Sequence, residues 1–470
     1  MKSVMVSLAG NECGKEGIKG NSQMKKKQQP DRARITTYGE AEAYLCEVPK
    51  FTVKSAPEKT RIFYEFLNCP GEGRKIVHVA GTNGKGSVCT YLRNILTAHG
   101  KRTAVFTSPH LVCMRERFAV DGMMMGEDDF RDVFLRVSNA LTQVQKISGM
   151  ETYHPSFFEY LFFMAMLWFD MKNADYIILE TGMGGKLDAT NVIRKPELCI
   201  ITKIALDHMQ YLGNTLEEIA GEKAGIIKEE VPLIFYDFDK TVTEILRNTA
   251  EAKNAEAYGV ENARIRNDKN HKKYIDFCLD CSYYKGVCPQ ELQIKIPTVA
   301  TYQMVNASLA VMASASLLGT GWHATVACNA LATTVWPGRM EEIIPNLIVD
   351  GAHNEDGIEA FIRSLKACEM KDDILVFGVS SDKAYEKMQK RLVTELSWSR
   401  IVVVPLRNAR SAYTDVLKKQ FEAYTTVPVE SKSGIREALD ELEKLRSVKR
   451  IYVVGSLYLV GEVKELFMEE

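Results

Sequence analysis

The stretch IVHVAGTNGKGSV, Ile76 to Val88, runs a short β-branched strand into a loop with three glycines and a lysine, and an apolar helical pattern follows. Gly81, Gly84 and Gly86 let the backbone approach a ligand closely. Successive N–H groups ahead of a helix then present positive partial charge to an anion, the makings of a phosphate cradle. Lys85 adds a point charge where the β- and γ-phosphate oxygens of a nucleotide would lie. The spacing departs from G-x-x-x-x-G-K-[ST]: only Thr82 and Asn83 separate Gly81 from Gly84, and Gly86 stands between Lys85 and Ser87. A glycine loop by itself can simply turn the chain, so the neighbouring strands decide.

Working outward, strand, loop and helix alternate. SVCTYLRNILTAHG reads as an amphipathic helix closed by Gly100, and TAVFT as a second strand ending at Ser108-Pro109-His110. A long helix from about Asp128 to Gln145 and the aromatic helix SFFEYLFFMAMLWF precede the strand ADYIILE, which ends at Glu180. After the loop TGMGGKLDATN, the strand LCIITKIAL leads to Asp207-His208. The alternation predicts an α/β fold with a mostly parallel sheet, in which ligands sit outside the carboxyl ends of the strands. Lys85, Ser108, Glu180 and His208 all fall at such ends. A polar stretch from about Glu261 to Thr298 suggests hairpins. A second alternation then begins near Tyr302 (LIVD, ILVFGVS, IVVVPL, IYVVGS), a smaller Rossmann-like domain. The expected division is residues 1–34 as a disordered extension, 35–298 as an ATP-binding P-loop domain and 299–470 as the C-terminal α/β domain.

The 470 residues are 46% hydrophobic and 26% charged, enough for two or three domains with real cores. A net charge of −1 gives no general reason to expect nucleic acid or an anionic membrane as partner, so any anion site is local. The apolar run Leu161 to Phe169 is half the length of a bilayer span and reads as a buried helix. Eleven scattered cysteines, an odd number, without a convincing signal peptide point to free thiols in a reducing cytoplasm. His271, Cys278, Cys281 and Cys288 could in principle supply four zinc ligands, but the spacing matches no zinc module, and YIDFCLDCSYY fits a hairpin.

Together HVAGTNGKGSV, TSPHL followed by ERF, LETGMGGKLDATNVI, ITKIALDHMQYLGNTLEEIAGEKAGIIK, WPGRME, DGAHN and GSLYLVGEV resemble the folylpolyglutamate synthase/dihydrofolate synthase family, relatives of the Mur ligases, over residues 37 to 470. The resemblance implies an ATP-dependent acid–amino-acid ligase: a folate or dihydropteroate carboxylate takes the γ-phosphoryl group of ATP, and the amine of L-glutamate displaces phosphate. Phosphoryl transfer asks a protein mainly to position partners and neutralise charge, so a cradle, Mg²⁺ and cationic side chains are the expected parts.

By the same resemblance, residues Gly81, Thr82, Asn83, Gly84, Lys85, Gly86 and Ser87 cradle ATP. Asn306, Arg339, Asp350 and His353 contact it from beyond the first domain. Ser108 and Glu180 would ligate one Mg²⁺ and His208 a second; Lys223 in EKAGI matches a lysine that is carbamylated. Lys85, His208, Lys223 and Arg339 are the catalytic set, and Phe158, Asp188 and Ala189 match folate-binding positions. Before Asn306 the family pattern reads Gly-x-His-Gln; here Thr301 and Tyr302 stand at the glycine and histidine. A monomer is expected. The alternatives are a Mur-type ligase on another carboxylate, which needs a UDP-binding domain where only about 75 residues precede the loop, and a P-loop switch or transport ATPase, which needs no Arg339.

Overall fold

The run KIVHVA folds as strand β1 (Lys75–Ala80), and the chain around it supplies β2 (Thr103–Phe106), β3 (Phe118–Val120), β4 (Met123–Met124), β5 (Tyr176–Glu180), β6 (Leu198–Ile201), β7 (Leu233–Asp237) and β8 (Ala257–Glu261). These strands come from a computed structural model that describes residues 35–49, 57–271, 273–282, 284, 287–368 and 372–468. The extension expected over residues 1–34 lies outside the described residues. The sheet order is β4-β3-β2-β5-β1-β6-β7-β8. Only β3 opposes its neighbours, pairing antiparallel with β2 and β4.

The direction of winding changes at β1, which lies between β5 and β6. Its carboxyl end is therefore the crevice that such a sheet offers to a ligand. Register brings the loops to that crevice: Val79 pairs with Glu180, Ala80 with Ile201, and Phe106 with Leu179.

Both faces of the sheet are covered, which is why its strands read as continuous apolar runs. Ile177 and Leu179 share an aromatic core with Phe134, Tyr160, Phe162 and Phe163. Tyr176 and Ile178, pointing the other way, pack with Val88, Leu92 and Ile95 of the helix Lys85–Ala98. The helix Phe157–Met171 is apolar around nearly its whole circumference and is buried accordingly. Ser156 starts it through a capping box, its own N–H donating to Glu159 Oε2 at 2.8 Å.

The polar stretch expected as hairpins forms an antiparallel sheet of β9 (Ile265–Asn270), β10 (Ile275–Asp280) and β11 (Glu291–Ile296), ordered β11-β10-β9. Cys278 and Cys281 are buried in it. His271 Nε2 sits 3.3 Å from Asp276. Among the described residues no three His, Cys, Asp or Glu side chains converge to hold a metal.

The helices Gln303–Leu318 and Ala324–Ala332 both pack on the helix Lys85–Ala98, the first also on β6 and β7 and the second on β11. Leu309, Val311 and Met312 thus belong to the core of the first lobe, beyond the boundary expected at residues 298–300. Gln303–Gly321 is long and apolar enough to cross a membrane, but 61% of its most apolar window is buried inside this lobe. The second lobe is a sheet of β12 (Glu341–Ile344), β13 (Leu347–Asp350), β14 (Asp373–Phe377), β15 (Trp398–Val403), β16 (Val429–Ser431) and β17 (Ile451–Val454), ordered β12-β13-β17-β14-β15-β16. Apart from the β12–β13 pair it is parallel.

Phe163 is fully buried and meets Phe63 edge-on at 4.8 Å between ring centroids. Truncating it leaves a cavity as well as lost transfer energy, so Phe163→Ala is expected to lower the stability of the first lobe by about 3–5 kcal/mol in urea unfolding followed by circular dichroism.

Candidate active site between the lobes

The cradle begins where β1 ends. Gly81 has φ +149°, and a Cβ there would lie 1.8 Å from Thr202 Oγ1. Gly84 has φ +92°, with Asn306 Oδ1 2.4 Å from the Cβ it lacks. Neither position tolerates a side chain. The loop is stapled to the chain beyond β6, because Thr82 N and Asn83 N donate to Lys203 O at 2.7 and 3.2 Å. Gly84 caps the helix without a side-chain hydrogen bond, leaving first-turn N–H groups to face an anion. Lys85 Nζ lies 3.1 Å from Gly81 O and 3.9 Å from Glu180 Oε1.

Around Gly81 the structure gathers the strand-end residues. Glu180 is buried and accepts the Ser108 N–H at 3.0 Å. Burial raises its pKa; Lys85, the Ser108 N–H and Arg339 oppose the rise. Two oxygen-bearing side chains at adjacent strand ends, one a carboxylate with spare lone pairs, fit a Mg²⁺ whose remaining ligands are water and phosphate oxygens. His208 has φ +53° and precedes the short helix Met209–Leu212. The residue is exposed, yet desolvation of the ring is the largest cause of a lowered pKa, which favours the neutral form that can ligate.

Lys223 is no surface lysine of its helix, Leu216–Ala224: it is buried and donates to Gly81 O at 2.8 Å. Burial, reinforced by the charge of Lys85, pulls its pKa down to about 7. Neither Glu222 nor Glu218 pairs with it; Glu218 instead accepts the Asn214 N–H at 2.6 Å.

The second lobe closes over this point through polar contacts. Asn83 Nδ2 donates to Asn354 Oδ1 at 3.1 Å and Asp356 Oδ2 at 2.8 Å, and Lys203 pairs with Asp356 at 3.3 Å. Asp207 receives Lys383 Nζ at 2.6 Å and Asn354 Nδ2 at 2.9 Å, with His353 Nε2 at 3.8 Å. Burial would raise the Asp207 pKa, yet His353 and Lys383 hold it well below the usual carboxylate range. His353 itself is pushed down to about 4, chiefly by burial.

Asp350 lines the same space, but its carboxylate accepts from Tyr302 OH (2.7 Å), Met340 N (2.9 Å) and Ala352 N (2.8 Å). Tyr302, at the family's histidine position, is therefore a strut between the lobes. Asn306 Nδ2 donates to Gln303 Oε1 at 2.8 Å, and Gln303 Nε2 to Ser87 Oγ at 3.1 Å. Arg339 Nη1 donates to Gly338 O at 3.1 Å.

A cavity of about 870 Å³ contains Lys85, Ser108, Glu180, His208, Lys223, Asn306, Arg339, Asp350 and His353. A second, of about 800 Å³, adjoins it at Ser108, Pro109, His208 and His353, and is lined by Phe158, Asp188 and Ala189. The Phe158 ring lies over Gly182, where a Cβ would sit 2.8 Å away, and 5.4 Å from Phe106. Asp188 accepts from Thr190 Oγ1 (2.6 Å) and Met183 N (2.9 Å), and Thr190 is braced in turn by His78 Nε2 at 2.7 Å.

Lys383 and His78 were not singled out by the sequence, and Tyr302 stood out only as a departure from the family pattern. Lys383 follows β14 in SSDKAYE, so the strand-end rule that found Glu180 would have found it too; His78 lies inside a strand and carries no such signal.

With this geometry established, comparison with known proteins is direct. Residues 134–314 match the Mur ligase middle domain, and 338–457 the Mur ligase glutamate ligase domain. The dihydrofolate synthase/folylpolyglutamate synthase of Bacillus subtilis is 30% identical over 444 residues, covering 92% of this chain and 99% of that protein. The Mycobacterium tuberculosis folylpolyglutamate synthase complexed with ADP superposes with a TM-score of 0.82 at 25% identity, over 92% of this chain and 98% of the other. E. coli FolC in complex with DHPP and ADP gives 0.79 at 25% identity, over 94% and 99%. The chain belongs to the dihydrofolate synthase/folylpolyglutamate synthase family of ATP-dependent ligases, which join glutamate to folates.

Proposed function

We propose that the two adjoining cavities carry out a two-stage ligation: nucleotide and metal occupy the first, the pteridine substrate the second, and L-glutamate enters where they meet. The observation that carries this reading is their shared wall at Ser108 and His208, beside Lys85. In the first stage a substrate carboxylate oxygen bonds to the γ-phosphorus of ATP and the bond to the β-phosphate oxygen breaks, giving an acyl phosphate and ADP. In the second, the glutamate amine attacks the acyl carbon, loses a proton and expels phosphate. Tetrahydrofolates and dihydropteroate both offer the required carboxylate.

Lys85 and the first-turn N–H groups hold the β- and γ-phosphates, and Arg339 reaches them from the second lobe with a fork suited to two oxygens. Thr82, Asn83, Gly86, Ser87 and Asn306 complete the nucleotide cradle, with Asp350 and His353 shaping its far wall. Mg²⁺, two ions on this reading, supplies charge neutralisation along the transferring phosphoryl group. Ser108 and Glu180 would hold one ion and His208 the other. A neutral Lys223 amine would add CO₂ and release a proton, and the resulting carbamate would put an anionic group where a protonated lysine would repel a metal ion. Phe158 stacks on the pteridine, while Asp188 and the Ala189 backbone take its polar edge.

The lobes divide, on this reading, between Ala332 and Met340, after the helices that pack on the phosphate-loop helix. Both come from one chain, which supports a monomer as the working unit. The buried Cys89 and Cys199 remain thiols, which supports a cytoplasmic setting.

ATP-dependent incorporation of labelled glutamate, run in parallel with tetrahydrofolate and dihydropteroate, tests the function: product is expected with both, and none from Lys85→Ala that still unfolds cooperatively. Activity of that variant at the wild-type rate would remove the cradle from the chemistry. Arg339→Ala is expected to lower kcat by about 10²-fold or more, as loss of charge stabilisation in the transition state demands, in steady-state phosphate release; an effect confined to the KM of glutamate contradicts the role.

The third test concerns pH. With a pKa near 7, Lys223 is half neutral at pH 7 and mostly neutral at pH 8, whereas an exposed lysine stays protonated. A ¹³C carbamate signal from labelled bicarbonate is therefore expected at pH 8, to fade as pH falls below 7, and to be missing from Lys223→Ala.

A further inference from the structure

None of the roles given above uses Arg117. It ends the 3-10 turn Met114–Arg117 just before β3 and is only 7% exposed. Its Nε donates to His110 Nδ1 at 2.8 Å, and its Cζ lies 5.4 Å from the centre of the Phe157 ring. Among the described residues no carboxylate forms an ion pair with it.

The nearby acids are committed to other donors. Glu116 accepts three backbone N–H groups, from Leu111 (2.8 Å), Val112 (2.9 Å) and Cys113 (2.9 Å). Glu159 takes the Thr60 hydroxyl and the Ser156 N–H, and Glu180 takes the Ser108 N–H beside Lys85. A buried guanidinium without an ion-paired carboxylate is costly: burial pulls its pKa down to about 10, and the acidic groups around it, Tyr458, Glu180 and Glu116, oppose that only in part. An anion brought by a ligand would offset that cost.

Position says which anion. Arg117 lines the second cavity with Phe158, Asp188 and Tyr458, and is not among the residues of the first, where Lys85 and Arg339 await phosphate. The carboxylate that reacts must lie at the shared wall, next to Lys85. A bidentate guanidinium on that group would also draw off the electron density with which it attacks phosphorus.

We propose that Arg117 binds the carboxylate that does not react, the α-carboxylate of the terminal glutamyl residue of a folate substrate. The inference rests on the folate reading of the second cavity. It makes Arg117 a specificity residue, because dihydropteroate has one carboxylate, the reacting one, and gives the guanidinium nothing to hold.

The test compares tetrahydropteroylglutamate with tetrahydropteroyl-γ-aminobutyrate, which keeps the γ-carboxylate and lacks the α. Wild-type protein is expected to show a KM on the order of 10–100-fold higher for the second. Arg117→Met should raise the KM of the glutamyl substrate by a similar factor and leave that of the aminobutyryl analogue unchanged. Arg117→Lys, charged but without the fork, should fall between. Equal wild-type KM values, or an equal loss on both substrates in the variants, overturn the proposal while the folate reading stands. Turnover of neither substrate by the wild type overturns both. Should the variants fail to fold, the wild-type comparison decides alone.

Discussion

The arrangement of the whole site depends on one carboxylate, Asp207, which the first lobe supplies and the second lobe surrounds. Its partners Lys383, Asn354 and His353 all come from the other side of the crevice. The Asp207 and Lys383 side chains are 10% and 13% exposed, so this pair is shielded from solvent, and such pairs return little net stability after desolvation. What it fixes is geometry. Asp207 immediately precedes His208, and its own loop is held by the His208 N–H at 2.8 Å. The same contact therefore sets where the imidazole stands and where the second lobe rests against the phosphate loop. Asn83 and Lys203, both meeting Asp356, extend that register along the crevice.

Around this anchor the charges are crowded in a particular sense. Lys85 and Lys223 donate to the same carbonyl, that of Gly81, and the Lys85 charge adds to the cost of charging Lys223. Lys223, the more buried, gives way, its pKa drawn down to about 7. Glu180 is pushed the opposite way by burial and restrained by the cations around it. Perturbations of both signs within one crevice are the usual mark of a site built to handle anions and protons.

Much of this was legible in the chain. The alternation of apolar runs and helices gave β1, β5 and β6, because strands covered on both faces must be apolar throughout. The strand-end rule then put Lys85, Ser108, Glu180 and His208 at one edge. The helix Gln303–Leu318 was harder: its small, apolar residues suit either lobe, and only packing on Lys85–Ala98 assigns it to the first. Asp350 reads as a nucleotide contact by resemblance of its motif, and the Tyr302 hydroxyl that it also accepts lies 48 residues away in sequence. Partners of that separation leave no periodic trace. Arg117 was visible only as a letter in ERF; its significance is that no carboxylate among the described residues pairs with it, a property of three-dimensional neighbours.

The strut from Tyr302 to Asp350 and the ring of contacts about Asp207 are hydrogen bonds and ion pairs. Each is a bond that water can take over. Parting the lobes along this seam would trade those protein partners for solvent ones, and would uncover the apolar contact that Leu111 makes with the core of the second lobe. An enzyme joined in this way can release a bulky product without unravelling, and the grip of its halves should slacken as dissolved ions screen the seam.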